Sequence, residues 1–278
     1  MSSIDSISPA RFRGRTGTDR VARLPVWPQD TLEVVHGRSR LEEIERFRYS
    51  IYVAEQHKPL PAADHQARRL PDEDDAAAFH FCVRNNERRL VGYARMHYAE
   101  SIPGSAISRL GLGHLVDGSP KVLGFISKLM VDRSLRGRTN AVRLIMSMIQ
   151  YGCDRFTQAE GAVFHCSSEL VPLYTRMGFR PFGTPFLDPY VGLQTPMVAI
   201  FRDLAHFEQC GSPIAGIVES LPPHDEQLAA FRNYFVVKRA FHSESYPPAP
   251  VPAAPVPRTS RFMPLSTCAG PRSEIKLA

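Results

Sequence analysis

Several polar side chains stand where the surrounding pattern is otherwise apolar, and each is of a type suited to binding or moving charge. In FRYSIYVAEQ, Arg48, Tyr52 and Glu55 lie at i, i+4 and i+7, so on a helix they share a stripe that either lines one wall of a cleft or runs exposed along the surface. In LVGYARMHY, Arg95 has apolar neighbours. It is either half of a structural ion pair or a fork for a substrate carboxylate, which a guanidinium matches with two hydrogen bonds. In VLGFISKLMV the polar side chains are Ser127 and Lys128, and burying them is costly unless they meet partners or ligand. Arg133, Arg136 and Arg138 then surround Gly137 directly ahead of a helical pattern. A helix N-terminus behind a Gly-containing basic turn favours anions through its free N–H groups and its dipole, with phosphate the obvious candidate.

Holding these groups together requires a sheet with helices against it. The strand at 122–131 has Val122, Gly124, Ile126 and Met130 on one face and Leu123, Phe125, Leu129 and Val131 on the other, so it is expected to be covered on both sides. Thr139 or Asn140 is placed to cap the helix that follows, in which Val142, Ile145, Met146, Ile149 and Cys153 fall at helical spacing. Upstream, Ser39 and Glu42 form a capping box opening a helix with Leu41, Ile44, Phe47 and Ile51 on its inner side. The polar, proline-containing run after Glu55, ending in DEDD, reads as a mobile loop or lid. AFHFCV and LVGYARMHY read as a hairpin whose second strand has Val91, Tyr93, Arg95 and His97 on one face. A loop through Pro103 and Gly104 leads to the central strand. GAVFHCSS is another strand. Ser167 or Ser168 then caps a helix containing Pro172 and Tyr174, Gly178 ends it, Phe179 and Phe182 start a further strand, 196–204 closes the sheet, and 224–236 is a late helix.

Composition bounds the rest. The chain has 278 residues, 43% of them apolar, and a net charge of +6 carried almost entirely by arginine, which suits one soluble domain at 31–236 and either an acidic partner or a compositional habit. No basic stripe interleaved with aromatics points to nucleic acid. Residues 1–30 read as a flexible Arg-rich arm, and 237–278 as a disordered tail dominated by Pro and Ala from Tyr246 onward. No apolar run reaches the ~18 residues of a membrane helix and no secretory signal is visible, which suggests the cytoplasm. The five cysteines, Cys82, Cys153, Cys166, Cys210 and Cys268, are far apart, so neither a disulfide framework nor a metal site is expected.

The basic turn ahead of a helix, followed by strand, helix and LYTRMGFRPFG at 173–183, resembles the GCN5-related N-acyltransferase fold. That resemblance implies an α+β sandwich with a central mixed, mostly antiparallel twisted sheet flanked by helices. Within that superfamily, FRYSIYVAEQ, DEDDAAAFHFCV, VGYARM and ISKLMV are similar to acyl-homoserine-lactone synthases, and closer still to bacterial long-chain N-acyl amino acid synthases, which RDLAHFEQCGSP at 202–213 also resembles. The likeness spans roughly 40–235. Two departures are informative. The acetyl-CoA enzymes mark their pyrophosphate turn with Gln or Arg, two residues, Gly, one residue, then Gly or Ala. Aligned on Gly137, the stretch from Ser134 to Thr139 misses two of the three marks. Families fed by acyl carrier protein have similarly irregular turns, in which arginines can meet the carrier's acidic surface and its phosphate. Phe125 also replaces the glutamate that homoserine-lactone synthases carry two residues before the serine, which argues against a lactone product, and Lys128 stands where they usually have arginine.

The implied activity moves a fatty acyl group from an acyl carrier protein thioester to the amino group of an amino acid or related amine. No permanent cofactor is needed: the acyl-phosphopantetheine is a co-substrate, with acyl-CoA the less favoured donor. Glu55 matches the glutamate that ends the first helix of these families and is the candidate base. Tyr174, four residues before the Gly-Phe pair, is the candidate acid for the departing thiolate; core packing is its alternative. Arg48 and Arg95 are candidates for the acceptor carboxylate, with Ser127 and Lys128 beside them. A bulge near Ser127 to Leu129 would free backbone N–H groups of Leu129 and Val131 for the pantetheine, and Arg136, Gly137, Arg138 and Thr139 would take its phosphate. An acetyl-CoA N-acetyltransferase and a non-catalytic acyl- or carrier-binding protein are the alternatives.

Overall fold

The structure is a computed structural model that describes residues 31–38, 40–113, 122–136, 139–156 and 159–221. The expected N-terminal arm, the helix at 224–236 and the C-terminal tail lie outside those residues, as do Ser39, Gly137 and Arg138.

Strand β1 (Leu32–His36) precedes helix α1 (Leu41–Arg48), which runs on as a π-helical segment, Tyr49–Glu55. The hairpin strands β2 (Phe79–Arg84) and β3 (Leu90–Tyr98) lead to a short helix α2 (Gly104–Leu110), the central strand β4 (Val122–Val131) and the long helix α3 (Asn140–Arg155). Then come β5 (Ala159–Ser167), α4 (Val171–Arg176), β6 (Arg180–Pro181), β7 (Phe186–Asp188), β8 (Gly192–Ile200), α5 (Leu204–Gln209) and α6 (Ala215–Val218). The strands form one sheet in the order β1-β2-β3-β4-β5-β8-β6, with β7 also paired to β8. β4 and β5 pair in parallel and every other pairing is antiparallel. This is the mixed, mostly antiparallel sheet flanked by helices that the resemblance implied.

Each face of the sheet has its own core. Leu144, Ile145, Met148 and Ile149 of α3 pack on Phe81, Ala94, Met96, Ile126, Ala162 and Phe164. On the opposite face, Ile44, Phe47 and Ile51 cover Cys82, Tyr93 and Met130, while Ala106 and Leu110 of α2 cover Leu123, Phe125 and Val163. The helical spacing of these residues is what puts them on one side of each helix.

Two bulges change the faces read from strict alternation. Between β3 and β4 the register steps from Tyr93↔Met130 to Arg95↔Ser127, two residues on one strand against three on the other. The extra residue lies around Lys128, whose φ is +55°, a conformation that a non-glycine residue holds only when its surroundings impose it. Ile126 and Leu129 therefore both meet the α3 core, and Met130 turns to the α1 side, against the expectation that Met130 would follow Ile126. A second irregularity, from Val83↔Gly92 to Arg84↔Leu90, detaches Val91 from the face of Tyr93 and puts it in the α3 core.

Other expectations need smaller corrections. α1 is preceded by Arg40 at φ 57° with no side-chain cap bond, and Glu42 pairs with Arg46 at 2.5 Å instead. The stretch read as a loop after Pro103 is the helix α2, the closing strand starts at Gly192, and Phe179 and Phe182 flank a two-residue strand. The expected lid is partly core: Leu70 and Asp75 are 4% and 1% exposed.

Candidate active site

The parallel ladder between β4 and β5 ends at Phe125↔Val163, yet β4 runs on to Val131 and β5 to Ser167. The two strands part, and a cleft of about 640 Å³ opens between them, lined by Ile126 to Leu129 on one side and Phe164 to Ser167 on the other. From Ile126 onward, the β4 edge facing β5 has no ladder partner among the described residues. Its backbone polar groups are therefore available to a ligand lying along it. The bulge at Lys128 is inside this stretch, where it re-aims both side chains and amides.

A buried charge network shores up the bulge from behind. Asp75 takes both terminal nitrogens of Arg48, at 2.9 and 2.5 Å, and Arg95 Nη1 at 2.9 Å. Arg95 also reaches Asp72 at 2.8 Å, Asp74 at 3.7 Å and, through Nε, Ser127 Oγ at 3.0 Å, and Asp72 pairs with Lys128 at 3.0 Å. Burial opposes ionisation of Asp72, but Lys128 and Arg95 outweigh it and hold the carboxyl well below the usual range. His80 donates from Nε2 to the carbonyls of Asp75 and Gly37 and accepts the Tyr93 hydroxyl at Nδ1; burial lowers its pKa to about 4.

This network corrects the expectation for two arginines. Arg48 is fully buried and does not line the cleft, whereas Arg95 lines it while only 3% exposed; both guanidinium groups are already paired with protein carboxylates, so a substrate carboxylate at Arg95 would have to compete with Asp72 and Asp75. Glu55 is also displaced from its expected place. It does not line the cleft but forms a two-pronged ion pair with Arg136, whose Nε donates to the Val131 carbonyl at 2.8 Å. That pair holds the Glu55 carboxyl below its ordinary value, making it a poorer base. Arg136 is correspondingly occupied, Thr139 is exposed at the start of α3 without a side-chain cap bond, and Asn140 donates to the Leu135 carbonyl at 2.9 Å.

Of the remaining expected residues, Ser127, Lys128, Leu129 and Tyr174 line the cleft together, whereas Val131 does not. Tyr174 packs edge-on against Phe164, centroids 4.5 Å apart, and burial raises its phenol above the ordinary range. Gly178 closes α4 behind it at φ +90°, where a Cβ would lie 2.4 Å from the Phe207 ring, so any side chain there strains the turn and displaces the ring.

Lys58, Asp72, His165 and Gln194, which also line the cleft, were not picked out from sequence. Lys58 lies over the Tyr52 ring at 4.6 Å, with Lys128 6.0 Å from the same centroid. Lys58 has no carboxylate within ion-pair distance among the described residues, and burial, then Lys128, draw its pKa down. Burial pushes the Tyr52 phenol up to about 12. Among the described residues no group of three or more His, Cys, Asp or Glu is arranged to hold a metal, and no helix is long and apolar enough to cross a membrane.

A family model described as N-acyl amino acid synthase FeeM matches residues 43–203, more than half of the chain. The chain belongs to this family. It is therefore an acyltransferase that acts on nitrogen. The match takes in the α1 stripe, the acidic run, the hairpin, the bulged β4 and the Tyr174 helix, all of which carried the resemblance in sequence, and stops short of most of RDLAHFEQCGSP at 202–213. Among solved structures, a CoA-dependent acyl-homoserine lactone synthase, BjaI, with SAM and isopentyl-CoA is 19% identical, over 72% of this chain and 97% of that one, with a TM-score of 0.49. FeeM, an N-acyl amino acid synthase from uncultured soil microbes, is 14% identical over 64% and 95%, TM-score 0.49. ElaA of Escherichia coli is 20% identical over 60% and 97%, TM-score 0.42. Among curated proteins, none matches the sequence.

Proposed function

We propose that this N-acyl amino acid synthase family member transfers a fatty acyl group from the phosphopantetheine thioester of acyl carrier protein to the amino group of an amino acid. The observation that carries the reading is the parting of β4 from β5 after Phe125. It opens the sheet itself, so a thioester lying along the free edge of β4 is reachable from both faces. The α3 side of the cleft, with Ile145, Phe164 and Leu129, is apolar and suits the acyl chain. The other side, with Tyr52, Lys58, Lys128 and Asp72, is polar and suits the acceptor.

Unpaired β4 amides polarise the thioester carbonyl as it gains negative charge. Tyr174, which lines the cleft and as a phenol is protonated at neutral pH, gives its proton to the departing sulfur, a transfer that burial makes more demanding of close placement. Lys58, cationic without a carboxylate partner and backed by Lys128 across the Tyr52 ring, binds the acceptor's carboxylate. Carrier protein is favoured over coenzyme A because the turn from Ser134 to Thr139 misses two of the three residues that mark a pyrophosphate turn; Arg136 within it is held by Glu55 and the Val131 carbonyl.

Thiol release, followed with matched acyl-carrier-protein and acyl-CoA donors and with each amino acid beside its decarboxylated amine, tests this. The expected result is faster turnover with the carrier donor and preference for the amine that bears a carboxylate. Equal rates with the decarboxylated amines would overturn the acceptor assignment, and a preference for acyl-CoA would overturn the donor.

A further inference from the structure

The cleft contains a histidine whose hydrogen is assigned by its neighbours. Gln194 of β8, 5% exposed, aims its Nε2 at the carbonyls of Val191, Gly192 and Leu193, at 3.2, 3.4 and 3.1 Å. Carbonyls only accept hydrogen bonds, so the amide is oriented with its nitrogen toward them. Its Oε1, also only an acceptor, is left facing His165 Nδ1 at 3.2 Å. The contact is a hydrogen bond only if Nδ1 carries the hydrogen, which leaves a lone pair on Nε2. Among the described residues Nε2 has no hydrogen-bond partner, and His165 lines the cleft. β5 alternates, with Phe164 and Cys166 in the α3 core and Val163 in the α2 core, so His165 is on the polar, acceptor side.

We infer that His165 is the proton acceptor for the incoming amine and that Gln194 is its positioning residue. The inference rests on the amide-forming reaction proposed above. The neutral amine's lone pair attacks the thioester carbon, a C–N bond forms, and the carbonyl electrons move to oxygen. The nitrogen, now cationic and far more acidic, gives one proton to His165 Nε2. The oxyanion collapses, the C–S bond breaks, and sulfur leaves with the bonding pair and takes a proton from the Tyr174 hydroxyl. Water returns the proton from the imidazolium to the tyrosinate, so the net movement is one proton from nitrogen to sulfur.

The surroundings keep the imidazole ready. Burial lowers its pKa, and Arg109 of α2 and Lys128 of β4 act in the same direction, against the Gln194 bond and Asp188 of β7. Phe186 packs edge-on, 5.2 Å between centroids. Since the shift is downward, the ring is mostly neutral at pH 7, and with kcat/KM expressed per concentration of neutral amine, activity should fall as pH drops below an ordinary histidine value of about 6.5.

The test combines turnover with nitrogen-15 NMR of the full chain. His165→Ala should lower kcat at least ~100-fold, within the range for loss of a general base, with partial rescue by added imidazole. His165→Gln replaces it if the alanine variant melts early. Gln194→Glu sets a carboxylate on Nδ1–H and should move the acid limb of kcat/KM up by about one pH unit or more. The NMR spectrum at pH 7 should show the Nδ1–H tautomer, lost in Gln194→Leu. An Nε2–H tautomer in the wild type, an unmoved acid limb in Gln194→Glu, or a His165 variant within threefold of wild-type turnover would overturn the inference while leaving acyl transfer intact. A wild-type protein that forms no amide would overturn both.

Discussion

Asp75 and Lys58 are opposite ways of using a charge near this cleft. Asp75 is buried and answers two arginines at once, so removing its charge strands both of them. Asp75→Asn should destabilise the protein by about 3–5 kcal/mol, as for other broken buried pairs, read from urea unfolding; a loss below ~1 kcal/mol would mean that water or a rearranged Asp72 takes over. Asp72 adds a pH dependence. Its folded pKa is depressed, so its contribution is fully present above the unfolded value of about 3.9 and is lost as pH falls through the folded value. The stability gap between wild type and Asp72→Asn should therefore be widest at neutral pH and shrink once pH drops below about 4. Lys58 has no such partner, and Lys58→Ala should raise the acceptor KM about tenfold, one charge-assisted hydrogen bond, with little change in unfolding midpoint. Sequence disclosed the arginines of this centre but not their commitment. Nothing local to Arg48 or Arg95 says that the acidic run at 72–75, which reads as solvent-exposed loop, folds beneath them. His165 was equally silent, because a lone histidine on an apolar strand has no pattern until Gln194 of another strand is placed against it.

At the level of elements, β4 was legible as a doubly covered strand and α3 as an amphipathic helix, because apolar periodicity survives in any context. The bulge at Lys128 could be anticipated from function but not from pattern, since one inserted residue leaves composition unchanged while turning Met130 to the other face. The π-helical end of the first helix was hidden for the same reason. Glu55 at its end ties to Arg136 in the turn after β4, which makes it a strap between the end of the first helix and that turn. Glu55→Gln should accordingly leave the pH profile of kcat where it is; a lost basic or acidic limb would restore Glu55 as the base. Gly178 is the element-level feature best read in sequence. Its positive φ, and a Phe207 ring that would lie 2.4 Å from any Cβ introduced there, predict that Gly178→Ala costs ~2 kcal/mol or more, measured as a fall in melting temperature that Phe207→Ala in the same chain does not aggravate additively.

For the molecule as a whole, the family relation and the parted sheet converge on one reaction. On the proposed reading, a sheet that opens between two parallel strands admits donor and acceptor from opposite faces, so the two substrates need not compete for one entrance. The net charge of +6 suits an acidic carrier on the same terms, with association slowing as salt screens it. The most direct measurement is mass spectrometry of the products after incubation with acyl carrier protein charged with a fatty acyl chain and a mixture of amino acids. The expected products are an N-acyl amino acid with the acyl group on the α-nitrogen, together with free carrier thiol. Free fatty acid alone, or intact acyl carrier protein after long incubation with every amino acid, would contradict the proposed acyl transfer.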